Sequence, residues 1–301
     1  MVVSDRLIGA VFVAVSAAAF GSMAIFGVWA QDDGVDTPTV LFARFFAAAL
    51  ILACVQYARG IPMPTLRRCR PVAAMGAIGY VGQSYCYFLA LEHADASLVA
   101  LLLYLFPAFV AVLAAVFLRE RTNAITAGAL VLALIGTALV VGGGDGEFIG
   151  YALGIGAAVI YSVYITVGAV ATDGLDAIAV ATVVCIAAAI VTGGIVVARF
   201  VAGEPASLPE SSRGWVSLVA IAAICTALAI IMFFAGMARL GATSTSVMST
   251  LEPVVTVALA TWLLNESLSA VQAVGAVVVI AAVVALALSH RPVAAQPSTP
   301  I

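Results

Sequence analysis

The sequence contains no lysine: all 12 basic residues are arginine. Charge of either sign is scarce, at 9% of 301 residues, against roughly 25% in a soluble domain. Five cysteines occur, Cys54, Cys69, Cys86, Cys185 and Cys225, with no C-x-x-C pair, which argues against a disulfide framework or a thiolate metal site. The two histidines, His93 and His290, lie at the ends of apolar runs, and no H-E-x-x-H occurs. No aspartate lies in the interior of an apolar run, and no nucleotide-binding loop is present. A membrane-embedded enzyme therefore lacks its expected catalytic groups, and direct coupling to ATP lacks its phosphate loop. No cofactor or metal is expected. What the sequence has in excess is apolar surface: 64% of residues are hydrophobic and the mean hydropathy is +1.21. This is the composition of an integral membrane protein.

A bilayer crossing takes about 20 mostly apolar residues. Ten such spans are expected, at 7–30, 39–58, 71–92, 97–118, 124–142, 148–171, 176–202, 214–238, 243–264 and 269–289. The first is longer than a signal-peptide core and has a counterpart in the second half, so it counts as a span. Arginine position sets orientation. With the N-terminus inside, Arg6, Arg59, Arg67, Arg68, Arg70, Arg119, Arg121, Arg239 and Arg291 are cytoplasmic, and only Arg199 and Arg213 are outside. Both termini are then cytoplasmic in a multi-pass protein of the plasma membrane. The segment 290–301 reads as a cytoplasmic tail.

A shift of 146 positions aligns "FPAFVAVLAAVFLRE" with "EPVVTVALATWLLNE" near their prolines and terminal glutamates. Pro107 falls on Pro253 and Glu120 on Glu266, with the same thirteen-residue interval in both copies. Alanine and leucine matches are cheap in this composition, whereas a matched proline and glutamate are not. Residues 7–142 and 148–289 thus read as two repeats of five spans. An odd number of crossings inverts the second repeat, which is the architecture of many secondary transporters. The fold class expected is an all-α integral membrane protein of ten transmembrane helices in two inverted five-helix repeats.

The ten spans and the paired "P…(x12)…E" signature resemble EamA-type members of the drug/metabolite transporter superfamily. Gly128, Gly275 and the stretch "YFLALEHADASLVALL" fit the same pattern. The resemblance implies secondary transport of small metabolites, often export of amino acids or toxic organic molecules, through a cavity between the halves.

One ionisable residue stands out. Glu252 lies within the ninth span, far from any other charge in sequence. A charged carboxylate at a helix centre costs roughly 2.5–3.5 kcal/mol on insertion scales, so it faces the interior, pairs, or takes a proton. Thr245, Ser249, Glu252 and Thr256 recur at helical spacing as one polar stripe. Helix packing through a hydrogen-bonded glutamate is the bland alternative. Arg44 is the one basic residue inside a span, either a partner for Glu252 or a substrate anion, or a long side chain snorkelling outward. Tyr80, Gln83, Ser84 and Tyr87 share a face of the third span. Tyr161 and Tyr164 lie in the sixth, Tyr104 stands before Pro107, and Ser22 lies in the first. Polar-tipped aromatics suit a pocket for organic molecules or, equally, interhelical packing.

Pro107 and Pro253 each leave a carbonyl unbonded four residues back, at Leu103 and Ser249, and suggest a kink or hinge. Glu120 and Glu266 mark helix ends, as gates, tethers or interfacial charges. The substrate or proton role falls to Glu252, Arg44, Ser249, Thr245, Thr256, Tyr87, Gln83, Tyr104, Tyr161, Tyr164 and Ser22. The expected activity is secondary active transport by alternating access, an exporter coupled to protons. A passive facilitator is the alternative, and a membrane-embedded enzyme a weaker one. The expected partners are a small-molecule substrate, protons and the lipid bilayer, with no nucleic acid.

Overall fold

Backbone in lipid has no water to bond to, so apolar runs of this length satisfy their amides internally as helix. The computed structural model follows that rule; it describes residues 2–90, 93, 94, 99, 102–119, 123–141, 147–204, 206–263 and 269–288. Every regular element among the described residues is helical. In chain order these are α1 (Val2–Gly21), α2 (Met23–Asp32), α3 (Thr37–Ala58), α4 (Leu66–Ala74) and α5 (Val81–Ala90). Then come α6 (Phe106–Leu113), α7 (Ala124–Val141), α8 (Phe148–Ala171), α9 (Ala177–Val201) and α10 (Ser212–Ala222). The last are α11 (Ala229–Leu240), α12 (Ala242–Ser249), α13 (Leu251–Leu263) and α14 (Ala270–Leu288). Three wider π-helical turns, Met75–Tyr80, Ala114–Leu118 and Ala223–Leu228, join or extend them.

Among the described residues, six helical stretches are long and apolar enough to cross a membrane: Asp5–Gly27, Thr37–Ala58, Phe148–Ala171, Ala177–Val201, Ser212–Leu240 and Ala242–Leu263. Shorter apolar helices, Phe106–Leu118, Ala124–Leu139 and Ala270–Ala282, fall where the fourth, fifth and tenth spans are expected. The third is segmented into α4, a π turn and α5. Outward-facing positions are apolar too, as at Val163 (44% exposed), Val197 (62%) and Val277 (66%). A surface of that kind is matched by acyl chains rather than water. The tail 290–301, with His290, lies outside the described residues.

Helix starts follow the capping chemistry. Asp36 caps α3 by accepting from Thr39 N at 3.1 Å, with Pro38 in the first turn. Asp176 caps α9 by accepting from Ile178 N at 2.8 Å and Ala179 N at 3.3 Å. Packing then repeats a pattern across the two halves. Helix α3 lies along α9, and α7 along α14. Helix α1 packs on α11, while α8 packs on α5. The α7–α14 contact is close because Gly136 has no Cβ; one built there would stand 2.8 Å from Val279 Cγ2 and 3.0 Å from the Gly275 carbonyl.

The main core gathers Phe45, Leu52, Tyr80, Tyr104, Phe106, Tyr164, Cys185 and Phe234 between the halves. The loop contacts sort into two sets. At one end Asp33 Oδ2 accepts from Ser211 N at 2.9 Å, Arg199 Nη1 meets Asp36 Oδ2 at 2.7 Å, and His93 Nδ1 lies 3.2 Å from Glu147 Oε2. At the other, Arg68 donates to Asp173 O at 3.4 Å and Arg239 Nε lies 3.4 Å from Asp5 Oδ1. Each contact joins loops that alternating spans assign to one face.

Candidate functional site

Arg44 lies two turns into α3 and is 4% exposed, so it does not reach outward to solvent. A guanidinium at such depth needs partners for its donors. Its Nε donates to Thr226 Oγ1 at 2.8 Å, and Nη2 donates to the Tyr80 hydroxyl. Its cationic carbon lies 4.8 Å from the Phe45 ring centre and 5.1 Å from that of Tyr80. Both hydrogen-bond partners come from π turns. Tyr80 ends the turn Met75–Tyr80, and Thr226 sits inside Ala223–Leu228, where its hydroxyl bonds back to Ile221 O at 2.8 Å. Such turns recur at functional sites because they displace side chains from the regular helical register. The 146-position shift that aligns the prolines also places Tyr80 on Thr226.

Glu252 opens α13 rather than sitting in the middle of an unbroken helix. The helix breaks at Thr250, whose hydroxyl and amide both turn back to Val247 O, at 2.6 and 3.2 Å. A carboxylate in a first helical turn meets the positive end of the helix dipole. The Tyr104 phenol lies within hydrogen-bonding reach of it, and the charge of Arg44 acts on it across the core. Tyr87 and Tyr161 are near enough to feel the carboxylate in turn.

The break divides the expected polar stripe. Ser249 Oγ donates to Thr245 O at 3.0 Å, and Thr245 Oγ1 is buried with no hydrogen-bond partner among the described residues. Beyond the break, Thr256 Oγ1 donates to both Glu252 O at 3.1 Å and Gly21 O at 2.9 Å. That second bond crosses to α1, which breaks in turn at Ser22. Gly21 makes the approach possible: a Cβ there would stand 2.7 Å from Glu252 O and 3.0 Å from Val255 Cβ.

The prolines do not sit in helix interiors as expected from sequence. Pro107 is in the first turn of α6, after a turn at Tyr104 and Leu105, and Pro253 follows Glu252 in the first turn of α13. A missing donor is tolerated in a first turn, because the carbonyl it would have met is already outside the helix. The interruptions at Tyr104 and Thr250 are themselves 146 positions apart.

Aromatic rings fill the centre. Tyr80 stacks on Tyr164 at 5.5 Å between centroids, Tyr164 on Tyr161 at 6.0 Å, and Tyr161 meets Phe106 at 4.7 Å. Phe20, Tyr80, Tyr161, Tyr164, Ile230 and Phe233 line a small hollow with room for about one water. Of the remaining sequence candidates, Ser22 donates to Ala19 O at 2.8 Å and lies 3.3 Å from Cys225 Sγ. Gln83 meets Ser84 Oγ at 3.5 Å. Glu120 and Glu266 lie outside the described residues.

The sequence reading singles out Tyr80 only as a polar-tipped aromatic and passes over Thr226. The shift of 146 was the signal that could have joined them. Phe233, in the hollow, stands opposite Tyr87 by the same shift.

Apolar helices with outward-facing valines, broken around sequestered ionisable groups, make this a helical multi-pass membrane protein with a polar centre. The model of the EamA-like transporter family matches it twice, over residues 7–142 and 148–288. The chain belongs to that family, which lies within the drug/metabolite transporter superfamily; its members are transporters rather than enzymes. No curated protein matches the chain. A crystal structure of another protein superposes with a TM-score of 0.78 at 23% identity, covering 94% of this chain and 97% of that one. At that identity the likeness concerns the fold alone.

Proposed function

We propose that this protein is a secondary active transporter that exports small organic metabolites, amino acids or related compounds, by alternating access between two inverted five-span repeats. The reciprocal packing of α1 on α11 and α8 on α5 supports the inverted arrangement. Ten spans, cytoplasmic termini and residence in the plasma membrane belong to the same reading, supported by the arginine distribution.

The observation that carries the function is the presence of two ionisable groups in the broken-helix centre: Glu252, with Tyr104 on it, and Arg44, with Tyr80 and Thr226 on it, the charge of one acting on the other across the core. Discontinuous helices meeting near mid-membrane are where secondary transporters hold substrate and coupling ion. An acid and a base held in one helical core suit a substrate with an amine and a carboxylate, the amine toward Glu252 and the carboxylate toward Arg44. Proton coupling is assigned to Glu252, because desolvation favours the neutral form of a carboxyl group and a returning amine displaces the proton.

The test is counterflow and uphill flux of amino acids in proteoliposomes under an imposed proton gradient. Glu252→Gln is expected to retain exchange and to lose gradient-driven accumulation. Accumulation that persists in Glu252→Gln removes the acid from coupling. Flux in the parent protein that only follows the substrate gradient favours a passive facilitator instead.

A further inference from the structure

The geometry points to a two-ended charge latch on helices α3 and α9, in which Asp36–Arg199 closes the outer face and Arg59–Asp176 closes the inner one in alternation. This rests on the inverted-repeat reading above.

The sequence spaces four charges evenly. Asp36 and Arg59 bracket α3, and Asp176 and Arg199 occupy matching positions on α9. A single shift of 140 positions carries the first pair onto the second, and each aspartate precedes its arginine by 23 residues. At about 1.5 Å per residue that interval is roughly 34 Å, close to a bilayer core of about 30 Å. Charges so spaced fall at the two faces. Because Asp36 at the start of α3 meets Arg199 at the end of α9, the two helices run antiparallel. Arg59 and Asp176 must then share the opposite end.

The two ends are in different states. At one end Asp36 performs two tasks: Oδ1 caps Thr39 N, and Oδ2 takes Arg199 Nη1 at 2.7 Å. At the other, Asp176 performs only the first. Its Oδ1 takes both capping amides, and among the described residues no protein group occupies its Oδ2. Arg59 is exposed and, among the described residues, its side chain carries no ion pair. The carboxylate oxygen used at the closed end is therefore the one left open at the other.

The outer tie is also braced. Arg199 Nε bonds Glu204 at 3.0 Å, and Asp33 holds Ser211 N. Among the described residues, the first turn of α4 meets the loop between α8 and α9 through the exposed bond from Arg68 to Asp173 O, and the Arg239–Asp5 pair at this end involves neither α3 nor α9. With equal spacing on both helices, a small rocking of α3 against α9 about their shared core opens one end as it brings the other together.

Tyr85 supplies a reporter. It feels the charges of Asp36 and Arg199, and its hydroxyl is buried with no partner among the described residues. In the full-length protein, Tyr85→Cys is labelled from outside with a membrane-impermeant maleimide, the native cysteines being subtracted using the parent. Asp36→Asn keeps the cap and removes the charge. Asp36→Asn or Arg199→Gln is expected to raise the labelling rate up to about five-fold, the usual ceiling for a part-exposed pair, while Arg199→Lys holds it. Asp176→Asn or Arg59→Gln is expected to lower it by a similar factor, and Asp36→Asn/Asp176→Asn to return it toward the parental rate. An unchanged rate in Asp36→Asn, or a rate in Asp176→Asn that is unchanged or raised, overturns the latch. Labelling of Arg59→Cys and Asp176→Cys in inside-out vesicles checks the underlying arrangement separately. Both must react on the face opposite Tyr85→Cys. If they do not, the inverted repeat itself fails; if they do and the rates stay flat, only the latch fails.

Discussion

Tyr80 and Thr226 accept hydrogen bonds from one guanidinium, that of Arg44, although 146 positions separate them in the chain. The same interval separates Pro107 from Pro253. Equivalent positions in the two halves thus converge on a residue that only the first half possesses. The geometry lets Arg44 read the relative placement of the halves, since any slide between the third and eighth segments stretches one bond or the other.

Removal of either acceptor leaves a buried charged donor short of a partner. Tyr80→Phe and Thr226→Val are each expected to lower stability by about 1.5–3 kcal/mol, the range for hydrogen bonds to charged groups. Both partners share one guanidinium, so the double variant should fall short of the sum. Unfolding in detergent micelles measures all three. Strict additivity would mean that the two bonds act independently, and that Arg44 does not couple the halves.

A second expectation concerns the contact of α1 with α13. Gly21→Ala places a methyl 2.7 Å from Glu252 O, against backbone that cannot swing aside. Overpacking of that kind costs about 1–3 kcal/mol and displaces Glu252 from Tyr104. Gly156 and Gly194 have open space around the same added atom, so their alanine variants serve as neutral controls. Transport assays alongside thermal unfolding check the pair of claims. A Gly21→Ala protein as stable and as active as Gly156→Ala would show that α1 does not press on the Glu252 turn.

Much of the helical layout was legible in the sequence, because lipid imposes one solution on an apolar run: a helix that bonds itself. The proline and glutamate repeat was legible for a similar reason, standing out against a background of alanine, valine and leucine. Helix breaks were not. Pro107 and Pro253 announce an irregularity but not its position, which lies upstream, at Tyr104 and Thr250, where hydroxyls and carbonyls trade bonds. The polar stripe from Thr245 to Thr256 presumed a continuous helix, and the break at Thr250 divides it. The π turns had no signal at all in periodicity, since one extra residue in a turn shifts the register without changing composition. Thr226 was hidden for that reason, as one threonine among many.

The break also makes a prediction. Pro253→Ala supplies an amide four residues after the Ser249 carbonyl, so α12 and α13 can fuse through Thr250. Stability is expected to hold within about 1 kcal/mol, because the bond gained at the Ser249 carbonyl offsets the chain freedom that proline had removed from the unfolded state. Transport is expected to drop about ten-fold, as Glu252 loses its place at a helix start. Hydrogen exchange at Thr250 and Leu251 reports the fusion directly. A less stable Pro253→Ala protein with normal transport would identify the proline as a fixed structural wedge instead.

The last prediction follows from Asp36, which lies just outside α3. Burial alone would push its carboxyl upward, but bonds from Thr39 and Arg199 outweigh this and hold it below the ordinary carboxylate range. A carboxylate depressed on folding adds stability above its unfolded value, about 3.9, and loses that contribution as pH falls through the lower, folded value. The Asp36–Arg199 tie should therefore be complete from neutral pH down to about pH 5 and weaken only below about pH 4. Unfolding of the parent and of Asp36→Asn, measured across this range, should differ by a constant amount above pH 5. The difference should close under more acidic conditions. If it closes between pH 6 and 7 instead, another group governs that end of α3, and Asp36 serves only as its cap.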